Sequence, residues 1–238
     1  MTRAAGIRER NRVELTAAIL TEARAQLAAS GAAALSLRAI ARELGMASSA
    51  IYRYFPSRDA LLTQLIVDAY TSLADHVDRA ESRVARADLR GRFRAVGRAV
   101  RGWALAHEHE YALIYGTPVP GYRAPDATIG PATRVSAALM AVVADAVTAG
   151  LAPTREVTPA ERRSLAPVLG HAEALGFAIP ADLMMRGLMA WTLVVGAVSF
   201  ELFGHVHNVV ADERTPRSAF FDGELDRMSD FLGLPHQR

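Results

Sequence analysis

The feature that most constrains this chain is a pair of short helical patterns joined by a tight turn. Ser36 can cap a first helix, which Gly45 stops. After the three-residue turn 45–47, a second short helix is expected to begin at residue 48 or 49 and to end at residue 54 or 55, before Pro56. The apolar positions of the first helix share one face: Leu37, Ile40, Ala41 and Leu44. Two short helices joined in this way predict a helix-turn-helix.

The rest of the chain is also predicted to be helical, because apolar residues recur at helical spacing and no strand alternation appears. Ser57 can cap a long linker helix that runs into the 80s, and prolines and glycines over 116–131 predict a loop. Further helices are expected over residues 9–29, 88–109, 131–149, 164–175, 180–204 and 217–232. The sequence therefore predicts an all-α fold, with an amino-terminal three-helix domain, a linker helix and a larger helical domain.

Composition excludes several kinds of function. The 238 residues include no Cys, which excludes a disulfide framework, a Cys-ligated metal and a thiol nucleophile. All 27 basic residues are Arg, so a Schiff-base or phosphate-loop lysine is excluded as well. The amino terminus lacks the apolar stretch of a signal peptide, and the apolar run 187–200 is shorter than the ~20 residues that span a bilayer. We therefore expect a cytoplasmic protein that does not enter a membrane.

Positive charge gathers at the amino end of the chain. Residues 1–60 carry nine Arg and five acidic residues, whereas residues 111–238 carry ten Arg and thirteen acidic residues. Near the start, Arg8, Arg10 and Arg12 can either form a basic arm that reaches a nucleic acid or simply be solvated. The later Arg series over 79–98 is interleaved with acidic residues, which favours an exposed, salt-bridged helix face.

Position within a helix-turn-helix decides which side chains can reach DNA. The second helix enters the major groove with its first residues at the base edges, and Arg53, one turn on, is long enough to fork onto a guanine. The helix starts present free backbone N–H groups to phosphates. The predicted base-facing residues are Ser48, Ser49, Ala50 and Arg53, and the predicted phosphate contacts are Ser36, Arg38, Tyr52, Tyr54 and Arg58. The alternative for the two tyrosines is a partly buried place in the core.

Residues 9–65 resemble the amino-terminal domain of the tetracycline-repressor (TetR) family of transcriptional regulators. In that family the recognition helix usually ends in Leu-Tyr-x-x-Phe, followed by a small residue and a Lys, and here the segment 51–58 reads Ile-Tyr-Arg-Tyr-Phe-Pro-Ser-Arg. The resemblance implies the same roles for the residues above. Arg58 stands where Lys is commoner, which keeps the charge but changes its geometry. Ala50 stands where Thr or Ser is common, so it can touch a thymine methyl but offers no hydroxyl.

The rest of the chain resembles the variable ligand-binding half of the same family, and in particular its WHG-type subgroup. This resemblance rests on residues 111–122, Trp191 and residues 201–204, although Val195 stands where the subgroup often has His. It implies a DNA-binding domain over residues 1–56 and a ligand-binding and dimerisation domain over residues 57–238. It also implies that the helices near 180–204 and 217–232 pair with those of a second copy as a four-helix bundle.

The resemblance further implies a ligand cavity in the larger domain. The candidate lining residues are Phe93, Trp103, Tyr111, Tyr115, Met140, Phe177, Met184 and Trp191. Such residues at helical spacing can equally be ordinary core. A cavity with so few charged groups favours a lipophilic effector. No metal or cofactor is expected, because the sets 107–109 and 201–207 offer too few ligands.

The expected function is therefore sequence-specific transcription regulation by a homodimeric repressor, which a small lipophilic effector releases from a palindromic DNA operator. One alternative is a DNA-binding dimer with a filled core and no effector. The other is an all-α enzyme that uses the aromatic cavity. The enzyme is disfavoured because the sequence has no paired carboxylates near a His, no glycine-rich phosphate loop and no nucleophile elbow.

Overall fold

The computed structural model describes residues 3–211 and 213–236, with side chains from residue 10 onward. All regular secondary structure in these ranges is helical, which confirms the predicted fold class. The α-helices are α1 (Arg3–Ser30), α2 (Leu37–Glu43), α3 (Arg58–Glu81), α4 (Leu89–Ala106), α5 (Glu108–Tyr115), α6 (Ile129–Thr148), α7 (Pro159–Ala174), α8 (Ala181–Leu202) and α9 (Arg214–Leu232). Short 3₁₀ turns occupy Ala32–Ala34, Ile51–Arg53 and Asp126–Thr128.

Several helix boundaries differ from the predicted ones, and three of the differences are large. Helix α1 begins at Arg3, so the arginines at 8, 10 and 12 lie inside a helix and not in an arm ahead of it. The Arg- and Ala-rich sequence there has high helix propensity and no Pro. The helix predicted over 88–109 is interrupted at His107, between α4 and α5. Helix α7 starts earlier than predicted because Thr158 and Glu161 form a reciprocal capping box.

The helices pack into two compact units. The first comprises the chain up to Thr71 together with His107–Gly130, and the second comprises Ser72–Ala106 together with the chain from Pro131 onward. Helix α3 contributes residues to both units, because the boundary falls between Thr71 and Ser72. These packing units differ from the predicted domains, a DNA-binding domain over residues 1–56 and a ligand-binding domain over residues 57–238. The domain boundary after residue 56 stays a prediction.

The first unit has a core built from α1, α2, α3 and the turns between them. Helix α5 and the loop after it belong to this unit, because Leu113, Val119 and Tyr122 pack against its core. The hydroxyls of Thr63 and Tyr122 are 2.9 Å apart. The buried members of the core are Ile19, Ala23, Leu35, Leu37, Ile40, Ala41, Ile51, Phe55, Leu61, Leu62 and Leu65. The Pro- and Gly-rich loop is therefore fixed to the three-helix core.

In the second unit, α4 and α9 run antiparallel and are joined by a ladder of ion pairs. The guanidinium–carboxylate distances are 2.6 Å for Arg90–Asp230, 3.4 Å for Arg94–Asp226 and 2.7 Å for Arg98–Asp222. Between them, Leu225 lies so close to Gly97 that a Cβ at this position would be 2.4 Å from its methyl group. The expectation that the Arg series pairs with its interleaved acidic neighbours is therefore wrong for these residues, because their partners lie on another helix.

A second charged cluster lies where the end of α3, the start of α4 and the end of α6 meet. Arg92 is only 3% exposed and donates to Glu81 and, at 2.6 Å, to Asp145. Asp145 also accepts from Arg86, at 2.7 Å, but the Arg86 side chain is 81% exposed. Two carboxylates thus share one buried guanidinium, which neutralises part of their charge inside the unit.

Helix α8 accounts for the most apolar part of the chain. Its buried residues, among them Leu183, Met184 and Val194, pack inside the second unit against α4, α7 and α9. By length and composition alone, the segments Asp126–Thr148 and Ala181–Leu202 could cross a membrane, but core helices of soluble proteins meet the same criterion. Packing inside the unit therefore explains the apolar residues on one side of α8, whereas Met189, Leu193 and Phe200 are exposed.

Replacing Arg92 should destabilise the protein much more than replacing Arg86, although both residues bind Asp145. Arg92→Met leaves two partly buried carboxylates without their shared cation and should lower the free energy of unfolding by about 2–4 kcal/mol. Arg86→Met removes an exposed partner and should cost less than about 1 kcal/mol. Urea unfolding followed by circular dichroism measures both changes, and equal losses for the two variants would contradict the role assigned to Arg92.

Candidate nucleic-acid interface

Two buried side chains anchor the segment that follows the turn of the helix-turn-helix. Ile51 is fully buried and Phe55 nearly so, and both belong to the core of the first unit. Because these residues point inward four positions apart, the Tyr52 and Arg53 side chains between them are directed toward the surface. Burial of Ile51 and Phe55 therefore decides which residues of this segment DNA can reach.

The segment is more tightly wound than predicted. The α-helix expected from residue 48 or 49 to residue 54 or 55 is a run of turns followed by the 3₁₀ turn Ile51–Arg53. The backbone N–H of Ala50 donates to Ala47 at 2.8 Å, and that of Tyr54 donates to Ile51 at 2.9 Å. Ser, Ile and Tyr have low helix propensity, and Pro56 prevents extension, so a short stretch with i→i+3 bonds is the result.

The predicted base-facing residues lie mostly at the surface. Ser48, Ser49 and Arg53 are exposed, and Ala50 is half-buried. No hydrogen bond or ion pair to the Arg53 side chain is present among the residues that the structure describes. The guanidinium is therefore free to act as a donor to a ligand outside the chain.

The two tyrosines are in different environments. Tyr52 is 42% exposed, so its hydroxyl can reach a phosphate. Tyr54 is half-buried and packs against the core of the first unit. The structure thus places Tyr54 in the partly buried position that was the alternative for both residues.

The start of α2 presents both a capped helix end and a donor. The Ser36 hydroxyl oxygen accepts from the Ala39 N–H at 3.3 Å, which confirms the predicted cap. The Ser36 N–H is itself held by the side chain of Gln26, at 3.2 Å. Because the cap uses the hydroxyl as an acceptor, its hydrogen is left to donate to an anion. Arg38 follows on the exposed side of the first turn.

Arg58 has a structural contact that sequence reasoning missed. Its guanidinium donates to the carbonyl oxygens of Ala32 and Ala33, at 2.8 and 3.2 Å, and thereby ties the start of α3 to the turn after α1. These acceptors are backbone groups about 25 positions away in the sequence, so no residue pattern indicates the contact. If Arg58 also binds a phosphate, its guanidinium must do so with the N–H groups that the Ala32 and Ala33 carbonyl oxygens leave free.

The eight residues proposed to line an effector cavity lie in different places. Tyr111 and Tyr115 belong to the first unit, where their rings are 5.1 Å apart and burial raises the pKa of Tyr115 well above its usual range. Phe93 and Trp103 are buried in the second unit, where the Trp103 ring N–H donates to Ser72 at 3.0 Å. Met140, Phe177 and Met184 line one small cavity, and Trp191 is half-buried on α8.

An anchored, exposed helical turn next to a capped and basic helix start defines a helix-turn-helix DNA-binding protein. Family models match both parts of the chain: residues 19–65 match the bacterial regulatory proteins of the tetR family, and residues 93–228 match the tetracyclin repressor-like C-terminal domain. The chain belongs to the TetR family of transcriptional regulators.

Individual relatives agree with this assignment. The chain is 44% identical over 224 residues to the HTH-type transcriptional regulators Mb1846 of Mycobacterium bovis and Rv1816 of Mycobacterium tuberculosis, and each alignment covers 92% of both proteins. The crystal structure of SCO4313, described as a regulatory protein, matches with a TM-score of 0.71 and 37% identity, over 94% of this chain and 98% of that one. The regulator PfmR of Thermus thermophilus, 18% identical with a TM-score of 0.57 over 92% of this chain and 99% of that one, shares the fold. The protein is therefore a DNA-binding transcriptional regulator.

Arg53 and Arg58 should differ in how their loss affects DNA binding. Arg53→Ala should cost about 1–3 kcal/mol on the specific site and relax one base position, because the exposed side chain can read a guanine. Arg58→Ala should weaken specific and random DNA alike and also lower the melting temperature, because the tie to Ala32 and Ala33 is lost. Fluorescence anisotropy on both DNAs, with thermal unfolding alongside, measures these effects.

Arg38→Ala serves as the matched control, because Arg38 is exposed at the start of α2 and is expected to contact phosphate only. Equal losses on specific and random DNA for Arg53→Ala would refute its role as a base reader.

Proposed function

We propose that the protein is a homodimeric repressor that binds a two-fold symmetric operator and leaves it when a small lipophilic effector binds the larger domain. The observation that carries this proposal is the exposed Arg53 on an anchored turn, within a domain that matches the TetR family. The residues proposed to face the bases are Ser48, Ser49, Ala50 and Arg53. Those proposed to bind phosphate are Ser36, Arg38, Tyr52, Tyr54 and Arg58.

An apolar face on α8 and α9 supports dimerisation. Leu193 is 48% exposed and Phe200 is 57% exposed, although both lie on a helix whose opposite side is buried. Other large apolar side chains exposed on these two helices are Met189, Phe220 and Phe231. Contiguous exposed apolar surface of this kind marks an interaction site, and a second copy of the same two helices would cover it.

A groove of about 490 Å³ runs along this face between α8 and α9. Glu201 in its lining accepts two hydrogen bonds of 2.6 Å from Arg101 of α4. Within the groove, burial and then the nearby charge of Glu201 raise the pKa of Glu224. Because its walls include Leu193, Phe200 and Phe220, we propose that apolar side chains of the partner fill it.

Ion pairs in the second unit support control through α3. Arg134 of α6 donates to Asp75 and Asp78 of α3, at 2.9 and 2.6 Å. The buried Arg92 holds Glu81 at the other end of the same stretch. These ion pairs join the second half of α3 to α4 and α6. We propose that effector binding displaces these helices and, through α3, alters the geometry of the DNA-binding domain, residues 1–56.

The proposal places the protein in the cytoplasm, with DNA, a second copy of itself and the effector as its partners. It includes no catalytic role, and the groove and the buried aromatic residues are interpreted as interface and core. The effector-independent dimer remains the second candidate, favoured by the complete burial of Phe93, Trp103 and Tyr111.

Transcription in vitro from a promoter that overlaps the bound DNA site tests repression. Unchanged or increased transcription on adding the protein would contradict it.

Dimerisation should depend on the exposed residues of α8. Leu193→Arg places a charge in the proposed interface twice, once from each copy, and should weaken the dimer by about 100-fold or more, since half-burial of each Leu contributes on the order of 1.5 kcal/mol. Sedimentation equilibrium over a concentration series measures the change. Leu105→Arg is the control, because Leu105 is 41% exposed but lies on α4. A Leu193→Arg variant that remains as dimeric as the control would refute the assigned interface.

A further inference from the structure

A small apolar cavity separate from the α8–α9 groove lies between α6, α7 and α8. Its volume is about 110 Å³, and all of its walls belong to the second unit. The residues that matter for its chemistry are Ser136, Met140, His171, Ala172, Phe177 and Met184. Three of these residues, Met140, Phe177 and Met184, are also predicted from the sequence to line an effector cavity.

The volume limits what the cavity can hold. An engineered apolar cavity of about 150 Å³ in another protein binds benzene, so a cavity of about 110 Å³ limits the ligand to at most one six-membered ring. A larger polycyclic ligand would need the helices to separate. The aromatic ring of Phe177 and the thioethers of Met140 and Met184 supply polarisable surface suited to a flat ring.

The polar groups of the lining favour a neutral ligand that donates a hydrogen bond. No Arg, Asp or Glu lines the cavity, so neither an anion nor a cation would find a counter-charge there. The Ser136 hydroxyl donates to the Thr133 carbonyl at 3.0 Å, which leaves its oxygen to accept. The His171 ring offers a second acceptor nitrogen in its neutral form.

The cavity is accessible and one wall can adapt. His171 and Leu175 are exposed, so the cavity opens to solvent at the carboxyl end of α7. On the other side, Met140 lies against the bare backbone of Gly187, where a Cβ would be 2.9 Å from its terminal methyl. This flexible side chain can shift along α8 as a ligand enters.

One wall of the cavity is also connected to α3. Helix α6 contributes Ser136, Ala137 and Met140 to the cavity, while Arg134 on the same helix binds Asp75 and Asp78. A ligand that displaces α6 therefore acts on the helix that enters the DNA-binding unit. The contact residues and the cavity lie within one packing unit.

We propose that this cavity binds a neutral, single-ring aromatic molecule with one hydroxyl group, and that such a molecule is the class of effector that weakens operator binding. The ring packs against Phe177 and the two methionines, and the hydroxyl donates to the neutral His171 ring. The effector role rests on the repressor function proposed above, whereas binding to the cavity does not.

Phenol and toluene are the probes, used with the whole 238-residue chain in isothermal titration calorimetry. Phenol should bind, and Ala172→Leu should weaken its binding at least about tenfold by filling the cavity. Ala166→Leu, on the exposed side of the same helix α7, should change it less than about twofold. His171→Ala should weaken phenol about three- to tenfold and leave toluene unchanged, because only phenol donates a hydrogen bond.

Absence of phenol binding, or equal binding by Ala172→Leu and wild type, would overturn the assignment of this cavity. Benzoate that binds as tightly as phenol would overturn the neutral ligand class. Anisotropy on operator DNA separates the two proposals. If the affinity of the protein for operator DNA is the same with and without saturating phenol, the role of phenol as an effector is refuted. If the protein shows no sequence-specific DNA binding in the absence of phenol, the repressor function is refuted, whether or not phenol binds to the cavity.

Discussion

The burial of Ile51 and Phe55 in the three-helix core is the constraint on which the DNA-binding surface depends. These two side chains hold a short 3₁₀ turn that would have little stability as an isolated helix. Their positions direct Arg53 and Tyr52 outward, while Tyr54 stays partly packed against the core. The chemistry of the surface is therefore set by apolar contacts on its opposite side. The Arg58 tie to Ala32 and Ala33 fixes the adjoining start of α3.

In the second unit, the ion pairs between α4 and α9 and the close approach of Leu225 to Gly97 agree on one register of the two helices. The ladder between α4 and α9 has arginines and aspartates that each repeat every four residues, in opposite directions, so only one antiparallel register satisfies all three pairs. Hydrogen bonds from Arg98 and Arg90 lower the pKa values of the Asp222 and Asp230 carboxyls. Arg134 and Arg92 extend this order to the second half of α3, which links the larger unit to the helix-turn-helix.

The sequence predicts the features that depend on local chemistry. The Ser36 cap, the stop at Gly45 and the linker helix after Ser57 follow from residue type and helical spacing, and the structure contains all of them. Contacts across the chain could not be read in the same way. The Arg86 and Arg90 partners are 59 and 140 positions away, and helix α5 joins the first unit through packing that no local pattern indicates. The 3₁₀ form of the recognition turn follows from the low helix propensity of its residues and the stop at Pro56, which apolar spacing alone does not reveal.

The measurement that tests the central claim most directly is selection of DNA bound by the full-length protein from a random library, followed by footprinting of the enriched sequence. If the two recognition turns of a dimer read successive major grooves, the selected site is two-fold symmetric, with half-site centres about 10 base pairs or a small multiple apart. Enrichment of an asymmetric single half-site, or of no sequence at all, would contradict the account of this protein as a dimeric, sequence-specific regulator.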